Sequence, residues 1–134
     1  MKVLKVIITL LIVVVVQANA TAQTTHPLIG AWGVAYEEDG EKIYLTNEFR
    51  KEKGELICYT TYIKDAKGNG EKYEAVVMQN IKFEDKNGKG DYKFTYEDKE
   101  YEVKAELQLT NYDTLIVSYS KWGYSDTETW KRLK

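Results

Sequence analysis

Two short aromatic motifs stand at the two ends of a strand-rich sequence: Gly30-Ala31-Trp32 near the start and Trp130-Lys131-Arg132 at the close. An all-β chain exposes two sheet edges, and exposed edges invite aggregation. A barrel removes them by joining its first strand to its last. Paired motifs at both ends suit such a closure. They constrain the architecture more than any other feature of the chain and say much less about its chemistry.

The stretch between them reads as strands and turns. Tyr, Thr, Val and Ile are abundant and fit a pleated, half-buried surface. From Glu100 to Leu109, polar and apolar residues alternate for ten positions, the pattern of one strand with a wet and a dry face. Turn residues divide the rest. The expected strands are Ile29–Tyr36, Lys42–Lys51, Glu55–Ile63, Tyr73–Glu84, Asp91–Tyr96, Glu100–Leu109, Thr114–Lys121 and Tyr124–Leu133. A longer loop is expected from Lys64 to Lys72, and a turn at Asn87-Gly88 and Gly90. The fourth strand is long enough to contain a bulge. Eight strands on hairpin-length connections predict an all-β fold, an eight-stranded antiparallel up-and-down barrel, with a sandwich as the alternative. An even meander brings the last strand's end beside the first strand's start. Trp32, Trp130 and Arg132 then share one end of the barrel, its floor.

The residues before the barrel read differently. Lys2 and Lys5 precede an apolar run from Val6 to Val16 that only Thr9 interrupts. Small residues follow, as Ala18-Asn19-Ala20 or Ala20-Thr21-Ala22. This is the pattern of an export signal. The run is short for a membrane span, which takes about 20 apolar residues. Residues 1–22 are therefore expected to be a cleaved signal peptide, and residues 23–134 a single domain. The protein is expected to be exported, periplasmic or secreted.

Charge narrows the partners. The signal carries two of the 19 basic residues and no acidic one, which leaves 17 basic against 21 acidic, a balance of −4. Both signs are interspersed, and no basic stripe offers a footprint for nucleic acid. A single cysteine, Cys58, cannot form an internal disulfide. It lies in the apolar run Leu56-Ile57-Cys58-Tyr59 and is expected to be buried and inert. The sole histidine, His26, precedes the expected first strand.

At its two ends the chain resembles the lipocalin-like barrels of the calycin superfamily. Those carry a G-x-W motif on the first strand and a late basic residue that packs over the tryptophan. Gly30 and Trp32 match the motif, and Arg132 stands as the basic partner. The chain is similar, more closely, to a family of small exported bacterial proteins of unknown function built as lipocalin-like barrels. Ile29-Gly30-Ala31-Trp32 and Thr129-Trp130-Lys131-Arg132 match its I-G-x-W start and T-W-x-R end. The resemblance implies binding of a small hydrophobic or amphipathic molecule within the barrel. The chain is shorter than most lipocalins and lacks their disulfides and the helix after the barrel. A barrel this small can be filled by its own side chains. The alternative function is therefore a protein-binding module of the cell envelope, an inhibitor or assembly factor.

With Trp32 at the floor, the mouth lies at the opposite strand ends. An aromatic stands at or beside each: Tyr36, Tyr44, Tyr62, Tyr73, Tyr96, Tyr101, Trp122 and Tyr124 are the expected ligand-binding residues. Tyrosine offers an apolar face and a hydroxyl that orients a ligand. Phe49, Tyr59, Phe83 and Tyr92 fall toward the other end. On the last strand, Trp130 and Arg132 inside would bring Tyr124, Asp126 and Glu128 inside too, two carboxylates suited to a polar or cationic head group. The other facing puts Thr127, Thr129 and Leu133 inside and leaves both acids in solvent.

No catalytic or metal-binding pattern emerges, so no enzyme activity, metal or cofactor is expected. H-x-x-x-H, C-x-x-C and G-x-S-x-G are missing from the sequence. Asp85 to Asp91 has a faint likeness to a calcium loop, but it lacks the bidentate glutamate and contains two lysines. A plain hairpin is the simpler reading.

Overall fold

The computed structural model describes residues 26–38, 40–121 and 123–134; the segment expected to be an export signal lies outside them. Eight strands follow one another: β1 Gly30–Glu38, β2 Glu41–Glu52, β3 Glu55–Asp65, β4 Gly70–Glu84, β5 Asn87–Tyr96, β6 Lys99–Asn111, β7 Thr114–Lys121 and β8 Tyr124–Arg132. Each pairs antiparallel with the next, and β8 returns to β1, which closes the barrel. This is the up-and-down architecture expected from the turn spacing.

Alternation sets the inside. β6 is the clearest case: Val103, Ala105, Leu107 and Leu109 are buried, and Glu102, Lys104, Glu106 and Gln108 are exposed. The lumen is packed through its lower and middle levels by Trp32, Phe49, Cys58, Met78, Tyr92 and Trp130, each at most 2% exposed. Such packing removes large apolar area from water, worth roughly 1.5–3 kcal/mol for each large side chain.

Two sequence expectations need correction, one at the β3–β4 turn and one at the start of β5. The connection expected over Lys64 to Lys72 shortens to the turn between Asp65 and Gly70, because β3 and β4 run on beyond the core. Asp65 caps that turn, its Oδ1 accepting the Lys67 and Asn69 amides, both at 2.9 Å. Asn87 and Gly88 already belong to β5, the turn being Asp85-Lys86, and Gly90 is not part of a turn either. It lies within β5 opposite Ala105, buried in the lumen. A Cβ there would come within 3.0 Å of Met78 and 3.1 Å of Ile81, so glycine makes the room those side chains occupy. β4 is irregular, as its length suggested: its register shifts against β3 and, between Gln79 and Lys82, against β5.

The seam between β1 and β8 is short. Its register pairs only Trp32 with Arg132 and Gly33 with Lys131. Above those pairs the two strands are joined by side chains.

Candidate functional site

The floor is sealed from below. Residues 26–29 turn under the barrel and insert Leu28, which is fully buried. The Trp32 indole donates its Nε1–H to the Leu28 carbonyl at 2.9 Å. The Arg132 guanidinium lies between two rings, 4.3 Å from the Trp32 centroid and 4.2 Å from that of Tyr112. It donates to the carbonyls of Tyr112 at 2.9 Å, Ile29 at 3.1 Å and Pro27. One planar cation thus ties the residues before β1, the end of β8 and the β6–β7 turn together, a role the flexible point charge of lysine fills poorly. His26, expected to precede the folded part, belongs to this seal. Its Nδ1 accepts the Leu28 amide at 3.1 Å, and its ring lies 5.5 Å from that of Phe83. Burial, then the Lys51 charge, holds its pKa below the ordinary 6.5.

The other end is built around one carboxylate. Glu128 is 8% exposed and points inward from β8. Its Oε1 accepts from the Tyr92 hydroxyl at 2.8 Å, the Tyr36 hydroxyl at 2.9 Å and the Trp130 indole at 3.0 Å. The Tyr36 and Tyr92 hydroxyls also stand 2.8 Å apart. Oε2 meets the Tyr119 hydroxyl at 3.2 Å, and that hydroxyl reaches Asp126 Oδ2 at 3.4 Å. These side chains come from β1, β5, β7 and β8, so the cluster bridges the seam where the backbone ladder has stopped. Burial and the Glu128 charge push the Tyr36 phenol well above its usual range; burial, then Tyr36 and Glu128, do the same to Tyr92. Both remain donors at neutral pH.

Above the cluster the side chains are only half-buried. Phe94 stacks between Tyr101 and Tyr119, with centroids 5.6 and 5.5 Å away. Ile43, Leu45 and Ile63 are half-buried on the opposite strands.

The expected mouth residues divide. Tyr36 and Tyr101 face the lumen. Tyr44 and Tyr62 stand on the outer wall, 38% and 36% exposed. The Lys64 ammonium lies 5.5 Å from the Tyr44 ring centroid, and Tyr62 lies against Gly70 on the next strand. The cause at Tyr62 is a bulge. Thr60 pairs with Asn47 and Tyr62 with Thr46, so Thr61 is extra and reverses the facing. Tyr73 is 48% exposed where β4 shifts register. Trp122 and the side chains of Tyr96 and Tyr124 lie outside the described residues. On β8 the first facing holds for Glu128, since Trp130 is buried inside and Thr127 and Thr129 are exposed. Asp126 is exposed at the rim.

Phe94 and Tyr119 were missing from the expected site, and Glu128 stood there only under one of two facings. Spacing by twos from Trp130 reaches Glu128, and spacing by twos from Val117 reaches Tyr119. Tyr92 was assigned to the floor end because β5 was expected to start at Asp91. It starts at Asn87, which moves Tyr92 to mid-strand and its hydroxyl to Glu128. A second buried polar pair lies lower: Thr60 donates to Asn47 Oδ1 at 2.8 Å, and Asn47 Nδ2 has no protein acceptor.

Other features have ordinary explanations. Asp91 is held by Lys104 at 2.7 Å and Asn80 at 2.8 Å, which lowers its pKa, and the loop before it is a plain hairpin. Cys58 is fully buried, and burial raises its thiol pKa. Two surface clefts, of about 440 and 330 Å³, lie away from the mouth cluster, one lined by Lys89, Glu106 and Ile116, the other by His26, Lys51 and Phe83. Comparison with protein-family models, curated proteins and solved structures found no match.

Proposed function

We propose that this chain is an exported, lipocalin-like binding protein that holds a small amphipathic molecule at the open end of its barrel. The observation that carries the reading is the contrast around Glu128. Below it buried side chains fill the lumen; above it half-buried aromatic rings stand on the lumen side near the rim. A ligand site of this kind combines apolar walls with a few fixed polar groups. Lys2, Lys5, the apolar run and the A-x-A residues support export. The terminal motifs and the Arg132–Trp32 stack support the lipocalin-like assignment. Because the lower lumen is filled, the ligand lies in the mouth and is short.

The test is native mass spectrometry of protein purified gently from its own host. A small-molecule adduct that is lost on denaturation supports the reading; a bare mass overturns it. A second reading, a protein-binding module with a filled barrel, draws on Tyr44 and Tyr62, two exposed rings outside the lumen. Tyrosine is enriched at protein interfaces. Replacing Tyr44 and Tyr62 with serine leaves small-molecule binding intact on the first reading.

A further inference from the structure

The two oxygens of Glu128 are unequal, and the inequality bears on the class of ligand. This inference rests on the mouth being the binding end. Oε1 is crowded by three donors within 3.0 Å. Oε2 has one long contact, to a tyrosine hydroxyl that Asp126 shares. The spare lone pairs of a side chain more than nine-tenths buried therefore lie toward Tyr119 and the rim.

Every donor to Glu128 is neutral. Among the described residues, no Lys or Arg stands within 4.0 Å of Glu128 or Asp126; the ion pairs there are Arg50–Glu48, Arg50–Glu74 and Lys104–Asp91. Lys121, at the end of β7, places its ammonium 5.5 Å from the Tyr101 centroid and donates to the Glu102 carbonyl. Hydroxyls and an indole disperse the carboxylate charge without cancelling it. A buried charge gains most from an opposite charge that it can also hydrogen-bond. The aromatic wall favours the same sign, since ring faces attract cations. An anionic ligand would meet two carboxylates and be rejected.

We infer that the mouth selects a compact amphipathic amine. Its protonated nitrogen sits on Glu128 Oε2, with Asp126 as a second contact, and its short apolar body lies against Phe94, Tyr101 and Tyr119.

Three probes that share one ring test this by isothermal titration calorimetry at neutral pH: tryptamine, tryptophol and indole-3-acetate. Tryptamine should bind wild type roughly tenfold or more tightly than tryptophol, the worth of a charge-assisted hydrogen bond, with indole-3-acetate weakest. Glu128→Gln should erase the preference for tryptamine. Asp126→Asn, at an exposed position, should reduce it roughly two- to fivefold. If Glu128→Gln loses its native melting transition, Asp126→Asn and the salt dependence of tryptamine binding to wild type read the same charge. Equal affinity for tryptamine and tryptophol, or a preference for indole-3-acetate, overturns the amine class and leaves the mouth as a binding site. Binding of none of the three overturns both.

Discussion

The floor and the mouth of this barrel use the same residue types to opposite ends. At the floor, Arg132 is the central charge, and everything around it is an acceptor or a ring: three carbonyls, Trp32 and Tyr112. At the mouth, Glu128 is the central charge, and its partners are hydroxyls and an indole. The floor charge is held by three of the chain's own carbonyls and stacked between two rings. The mouth charge keeps one oxygen thinly bonded, beneath side chains that are only half-buried. The lesson is that closure and the proposed recognition site are separated along the barrel axis, so substitutions at the two ends should fail in different ways.

The sharpest way to break this contrast is Trp32→Ala. Removing a fully buried indole from the floor should cost about 3–5 kcal/mol, a large share of a typical domain's roughly 5–15 kcal/mol. Urea denaturation reads it directly, and an unchanged midpoint would remove the floor from the account. Arg132→Met comes next. It keeps much of the apolar stem but loses the ring contacts and the bonds to three carbonyls, at a cost of about 2–3 kcal/mol.

At the mouth the expected cost is smaller. Tyr36→Phe deletes one hydroxyl bonded to the carboxylate and should destabilise by about 1–2 kcal/mol. The wild-type phenols can also be followed by absorbance on raising the pH. Their folded pKa values lie above the unfolded value of 10.0, so the stability they contribute is full below pH 10 and lost as pH rises through the folded values. Tyr36 and Tyr92 should stay protonated until the barrel unfolds.

The smallest effect returns to the floor. The folded pKa of His26 lies below 6.5, so its contribution is full above that pH and fades as pH falls through the folded value. Protonation removes the Nδ1 lone pair that accepts the Leu28 amide. His26→Gln should flatten the pH dependence of the melting temperature between neutral and mildly acid pH, and an unchanged profile would detach His26 from the seal.

Much of the fold was legible in the sequence because alternation and turn residues act locally. β6 could be read residue by residue, and the even strand count brought Trp32 and Arg132 together. The site was less legible because facing at the mouth depends on register. Parity from Phe49 and Leu45 already puts Tyr44 outside. Nothing local announces the extra residue at Thr61, which turns Tyr62 outward through its pairing with β2. Gly90 looked like a turn because its value is an absent Cβ beside Met78, a contact across the barrel. Glu128 was legible only as one of two facings, and the burial of Trp130 decides between them.

The most direct test of the separation between floor and mouth is a map of amide chemical shifts during a tryptamine titration. The account predicts shifts concentrated at Tyr36, Tyr92 to Phe94, Tyr101, Tyr119 and Asp126 to Glu128, with Leu28 to Trp32 and Arg132 unmoved. Shifts centred on the outer tyrosines Tyr44 and Tyr62, or on the floor, or none at all, would contradict it.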